Sequence, residues 1–277
     1  TNGTITVDGV TSTSTPLTLI ATASGSAVNF SSTSSFSDLT VDAGTGGVVF
    51  GGSTTSSGNL SVTSGGAITD TGTLTITGTS SFTTDVDDRA ITLDNTSNVF
   101  TGAVSLNTSG TSGNATLTSN NAVTLSTSTV GGDLAVTVGG DNSLNVTGAG
   151  SAGGFISLLA DDDIIFTASG DLTTTTGNIT VTADNDSDNN GAGGALTMVD
   201  GTVFDAGSGT LALAADEDIT LGLLETTSSS DTAVTLTSTS GGVFDGDDSS
   251  FSNTTIIVGS ASDSFLDIVA ESGRLVV

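Results

Sequence analysis

The sequence predicts an all-β protein wound as a β-solenoid. Three observations carry that prediction: hydrophobic-x-hydrophobic triplets recur along the whole chain, residues with turn chemistry separate them, and no window has helical periodicity. Apolar residues at i, i+3, i+4 and i+7 are missing, and Gly, Ser and Thr stand where a helix needs Ala, Leu, Glu or Lys.

The triplets come in order. Ile5-Thr6-Val7, Leu17-Thr18-Leu19, Val28-Asn29-Phe30, Leu39-Thr40-Val41 and Val48-Val49-Phe50 open the chain. Leu60-Ser61-Val62, Leu74-Thr75-Ile76, Ile91-Thr92-Leu93, Val104-Ser105-Leu106, Val123-Thr124-Leu125 and Leu134-Ala135-Val136 follow. Ile179-Thr180-Val181, Leu211-Ala212-Leu213, Ile219-Thr220-Leu221, Val234-Thr235-Leu236 and Leu266-Asp267-Ile268 continue the series. Period two with Thr or Ser between aliphatic residues marks short strands with one buried face.

Strands this short share a core in few ways. Sandwich strands run longer and lean on large aromatics, whereas aromatics are 4% of this chain and all are Phe. An outer-membrane barrel needs alternating segments of roughly ten residues and girdles of Tyr and Trp. A solenoid fits better, with Gly, Asn, Asp and Ser at its corners. Three strands per coil would take about 25 to 30 residues, giving about nine to eleven coils at ~4.7 Å each. One solenoid over residues 1–277 is expected, either a processed subunit or a segment of a longer repetitive chain.

Internal echoes support winding. Gly58-Asn59-Leu60-Ser61-Val62-Thr63-Ser64-Gly65-Gly66 is echoed by Gly132-Asp133-Leu134-Ala135-Val136-Thr137-Val138-Gly139-Gly140. The stretch from Ile156 through Asp161, Asp162 and Asp163 to Ile164 returns as Leu211 to Ile219, at an offset that fits two coils. Val203-Phe204-Asp205 and Val243-Phe244-Asp245 form a third, shorter pair.

From Gly58 to Gly148 the phrases GNLSVTSGGAITDTGTLTITG, ITLDNTSNVFTGAVSL and NNAVTLSTSTVGGDLAVT resemble the β-strand repeats of giant bacterial surface proteins related to filamentous haemagglutinin. Gly177 to Asp248 resembles another repeat style of such proteins. The resemblance implies a right-handed parallel β-helix, exported and displayed on the bacterial surface as a stalk, fibre or adhesin. Its motifs are structural repeats and bring no catalytic residues. The uneven coil length departs from the usual pattern, with Asp184 to Gly194 and Glu225 to Asp231 expected as loops leaving the rod.

Thirty acids, 27 of them Asp, against two Arg give a formal charge of −28. That charge excludes nucleic acid and anionic membrane surfaces as partners. Self-repulsion needs screening, which at physiological salt acts over about 8 Å. Disorder is not the reading: 35% of residues are hydrophobic, mean hydropathy is +0.24, and the apolar residues are periodic. Without Cys, Lys or His the chain has no disulfide, no Lys–Asn cross-link and no imidazole base or ligand.

Carboxylates remain as candidate chemistry. Asp161-Asp162-Asp163 resembles the paired acids that flank a glycosidic bond, but the only cations, Arg89 and Arg274, are distant in sequence. Its echo Asp216-Glu217-Asp218 favours an acidic corner preceding a strand, so no enzyme activity is expected. Asp184-x-Asp186-x-Asp188 offers oxygens at alternate positions, as calcium loops begin, though Ala195 stands where an EF-hand has its Glu. These three are the candidate metal ligands, with calcium as the expected ion. Asp85, Asp87 and Asp88, and Asp245, Asp247 and Asp248, are further acidic corners.

Asn-x-Ser/Thr triplets at Asn29, Asn59, Asn95, Asn107, Asn114 and Asn178, among others, read as structural positions. No stretch of about 18 apolar residues spans a membrane. Thr1 to Val7 and Leu275 to Val277 end on strands and are the expected sites of end-to-end junctions. The two function classes are a cell-surface fibre or stalk component and a calcium-dependent adhesin that meets glycan or host surface through corner loops. Missing Tyr and Trp platforms favour the first.

Overall fold

The computed structural model describes residues 3–186 and 193–246, together with strands Ile256–Val258 and Leu266–Ala270. Among the described residues there is no helix, and every strand pairing is parallel, so the chain is a parallel β-solenoid of about eleven turns. All sixteen triplets lie in strands. Contacts gather into two compact units, one of residues 1–124 with 128–133, the other of 125–127 with 134–277.

In the first unit three sheets wrap one core. The first sheet stacks Ile5–Val7, Ala27–Phe30, Gly47–Phe50, Ile68–Asp70, Ile91–Leu93 and Ala115–Ser119. The second stacks Thr11–Ser12, Ser34–Phe36, Thr54–Ser56, Leu74–Ile76 and Val99–Phe100. The third stacks Leu17–Ala21, Leu39–Ala43, Leu60–Ser64, Ser80–Thr84, Val104–Thr108 and Ser128–Val130. In the first sheet Ile5 is in register with Val28, and the same column continues through Val48, Ile68, Ile91 and Ala115. Each coil of this unit is thus shorter than the sequence suggests, because corners such as Gly51 to Ser53 close tightly between strands.

Alternation places one face of each strand inside. Phe30 and Phe50 stack at 4.8 Å with planes 17° apart, and Leu60, Val62, Phe82 and Leu106 are buried. Such stacking adds about 0.5–1.5 kcal/mol to the area each ring buries. The second sheet differs in that Ser34, Thr54 and Ser56 face the core with at most 1% exposure. Their hydroxyls serve the backbone: Ser56 Oγ donates to the Ser37 and Asn59 carbonyls at 3.1 and 3.3 Å.

The second unit repeats the plan with its five-residue strands in the first sheet: Leu134–Val138, Ile156–Ala160, Ile179–Ala183, Leu211–Ala215, Val234–Ser238 and Leu266–Ala270. Leu144–Val146, Ile164–Phe166, Leu196–Met198, Ile219–Leu221 and Val243–Asp245 make a second stack. Gly150–Ala152, Leu172–Thr174, Val203–Asp205, Leu223–Thr226 and Ile256–Val258 make the third. Coil length is uneven here: Leu134 to Ile156, Ile156 to Ile179 and Leu211 to Val234 are short steps, whereas Ile179 to Leu211 and Val234 to Leu266 are long ones. The echo of Ile156 in Leu211 therefore spans one short coil and one long coil.

Two expectations need correction. Glu225 does not open a loop: it belongs to strand Leu223–Thr226, in register with Asp205, because Leu224 fills the core behind it. The shared Val-Phe-Asp triplet is no structural repeat. Phe204 is fully buried in the third sheet, whereas Val243 is the inward residue of the second-sheet copy and Phe244 is half-buried.

Candidate functional site

Three of the acidic corners stack in the second unit, where the first sheet turns toward the second. Ala160, Ala183 and Ala215 end their strands inside the core, and Asp161, Asp184 and Asp216 follow them, one per coil. Coils stack at about 4.8 Å, so these acids form a column on the outer edge of the turn. Asp184 holds φ at 56°, a left-handed value that Asp tolerates better than most residues.

The chain itself uses most of these carboxylates. Asp161 Oδ2 accepts the Gly140 N–H at 2.8 Å, Asp162 Oδ2 accepts the Ser143 hydroxyl at 2.7 Å, and Asp216 Oδ2 accepts the Ser240 hydroxyl at 2.9 Å. Asp163 and Asp218, each immediately before a strand, accept the N–H of Ala195 and Gly242 one coil on, both at 2.9 Å. Asp171, Asn178, Asp38, Asn59 and Asn114 make the same contact to Val203, Thr210, Asn59, Thr79 and Asp133, at 2.7–2.9 Å. An Asp or Asn before a strand is thus a clamp between coils. That position explains sequons at Asn59, Asn114 and Asn178, whose side-chain oxygens are engaged.

Asp161–Asp163 and Asp216–Asp218 lie two coils apart in equivalent corners and do not face each other across a cleft. Of the three candidate metal ligands, Asp184 is half-buried, Asp186 is exposed, and Asp188 lies outside the described residues, as do Asp247 and Asp248. Gly193 and Gly194, at φ 92° and 94°, bring the returning chain back against this corner. A side chain at Gly194 would meet the Cβ atoms of Asp184 and Asp216 at 2.9 and 3.3 Å. Among the described residues no three acidic side chains converge as a ligand set. Glu217, Asp218, Ser240 and Gly241 line an open depression of about 250 Å³ beside the column.

Asp85, Asp87 and Asp88 also diverge. Asp88, at φ 61°, turns its Oδ1 to the Thr111 and Ser112 N–H groups, both at 2.9 Å, while Asp85 and Asp87 are exposed.

One buried acid escaped the sequence reading. Asp70 is 4% exposed and stands in register with Phe50, at an inward position that triplets normally give to an apolar residue. Asn98 Nδ2 donates to its Oδ2 at 2.6 Å and the Asp94 N–H to its Oδ1 at 3.0 Å. Asn98 in turn accepts the Leu74 N–H through Oδ1 at 2.9 Å and the Ser119 hydroxyl through its carbonyl at 2.7 Å. Burial pushes the Asp70 carboxyl above its ordinary value of 3.8, against the opposing pull of Asn98 and the Asn95 and Asp94 amides. The signal was present in Ile68-Thr69-Asp70, a triplet whose third member is an acid.

A family model described as repeats of unknown function (DUF5649) matches residues 36–107. No curated protein and no solved structure matches the chain. The chain is a repeat protein, and the matched stretch contains Asp70, Asn98 and the corners around Asp42 and Asp85.

Proposed function

We propose that this protein is a non-enzymatic structural segment of an extracellular or bacterial cell-surface fibre or stalk, extended by stacking coils end to end. The resemblance of Gly58 to Gly148 to repeats of the filamentous-haemagglutinin kind supports this reading. The observation that carries it is the in-register stacking by which each described coil covers the apolar residues of its neighbour. Ile5, Leu17 and Leu19 point inward yet are only half-buried, whereas Val28, Leu39 and Val41 one coil later are at most 1% exposed. A coil of this kind accepts a further coil by the same parallel pairing, from the same polypeptide or another copy.

Light scattering and electron microscopy test the reading. The expected result is particles heavier than the 26.8 kDa chain, growing with concentration. Leu17→Asp with Leu19→Asp should return single-chain particles with unchanged β circular dichroism. Single chains at every concentration for the unsubstituted protein would overturn end-to-end assembly.

A second reading, a calcium-dependent adhesin, draws on the column Asp161, Asp184 and Asp216 beside the returning glycines. In that reading Asp184, Asp186 and Asp188 would supply oxygen ligands for calcium and the adjoining loop would meet glycan or host surface. A melt in calcium against EDTA at constant ionic strength is the test, and equal midpoints would end the calcium version.

A further inference from the structure

The first unit carries a groove whose chemistry differs from the acidic column. Where its third sheet turns toward the first, Thr22, Asp42, Gly44, Thr45, Asp85 and Val86 line a concavity of about 260 Å³. Gly65 keeps it open: a Cβ there would stand 3.2 Å from the Gly44 carbonyl carbon and 3.4 Å from Val86 Cγ2. Val86 is 37% exposed, and Ile20, in register with Asp42 on the same outward face, is 55% exposed. Two of the large apolar residues that the first unit shows to solvent therefore sit beside two carboxylates.

Those carboxylates are idle. Asp38 and Asp88 accept N–H groups of neighbouring coils, but Asp42 and Asp85 accept no hydrogen bond among the described residues. Arg89, exposed on the same loop as Asp85, forms no ion pair among the described residues. Uncompensated negative charge, hydroxyl acceptors and aliphatic cover suit an ammonium on a hydrocarbon stem, which has three donors and no acceptor. A bare polyamine would gain little from Ile20 and Val86, whereas a polypeptide brings both cation and apolar cover.

We propose that this groove binds a lysine side chain of a basic polypeptide partner, with the stem along Val86 and the ammonium between Asp42 and Asp85. The chain's charge of −28 steers such a partner, and the groove gives it a place. The test is an amide-shift titration of the whole chain with a blocked peptide carrying one lysine among alanines. Saturable shifts are expected at Gly44, Gly65 and Val86. Asp42→Asn with Asp85→Asn should weaken binding by about tenfold or more, the scale of about 1.4 kcal/mol. Asp141→Asn with Asp200→Asn removes the same charge elsewhere and should change it less than about twofold. Equal weakening by both pairs would overturn the proposal in favour of a diffuse field. It also falls if the acetyl-lysine peptide binds as well, or if spermidine at equal amine concentration produces the same shifts with equal affinity.

Discussion

The two units solve one problem with different phase. In the first, the five-residue strands lie mainly in the third sheet, as in Leu39–Ala43 and Leu60–Ser64; in the second they lie in the first sheet, as in Leu134–Val138 and Ile156–Ala160. The echoed phrases at Gly58 and Gly132 therefore build different walls of the coil. A triplet specifies a strand and its inward face, while corner length specifies which sheet receives it. The second unit also tolerates long coils, yet Ile179 to Thr182 still pair in register with Leu211 to Ala214. Lengthening a closed loop by about two fifths costs only about 0.3 kcal/mol of chain entropy, so extra residues collect at corners.

The largest expected effect comes from emptying a core column. Phe50→Ala should cost about 3–5 kcal/mol, and Phe204→Ala a similar amount in the other unit. Amide exchange would show each loss concentrated in its own unit, since solenoid stability is a sum of neighbouring-coil terms. Uniform loss of protection from either substitution would erase the distinction between the units.

Asp70→Ala ranks next, at about 1–3 kcal/mol, because it leaves the buried Asn98 amide without an acceptor and removes the part-buried bond from the Asp94 N–H. The same residue should give the first unit a pH dependence. Its folded carboxyl binds a proton more tightly than the unfolded one, so its contribution is complete below 3.8 and fades as pH rises through the raised value. Denaturant midpoints followed on first-unit amides should therefore rise on mild acidification, and by less in Asp70→Asn than in the Asp141→Asn control.

Clamp removal is smaller. Asp163→Ala or Asp38→Ala should each cost about 0.5–1 kcal/mol, since the bond is charge-assisted but partly solvated. Smallest is Ser80→Ala, between zero and about 1 kcal/mol stabilising, because the inward Ser80 hydroxyl is buried without a partner between Leu60 and Val104. Chemical denaturation measures both.

The sixteen triplets named from the sequence all lie in strands, and Leu144–Val146, Ile164–Phe166 and Leu196–Met198 are further strands of the same pattern that were not named. Ser34–Phe36 and Thr54–Ser56 were not legible, because their inward residues are hydroxyls that satisfy corner carbonyls rather than fill space. Direction was illegible in Val-Phe-Asp, where either apolar residue can face the core. The corner role of Asp163 and Asp218 was half-legible through the echo, although the N–H each accepts belongs to the next coil. Asp42 and Asp85 belong to different coils that Gly65 separates, so no local pattern reveals their groove.

The stepwise register carries a consequence for the order of events in folding. Most strands in the described chain close against a counterpart a single short coil earlier, and the rest against one a long coil earlier. A polypeptide threaded through a narrow exit can thus complete a layer as soon as the next short length emerges, with the finished layer as template. A chain that emerged in this way would ratchet, each new layer hindering backsliding.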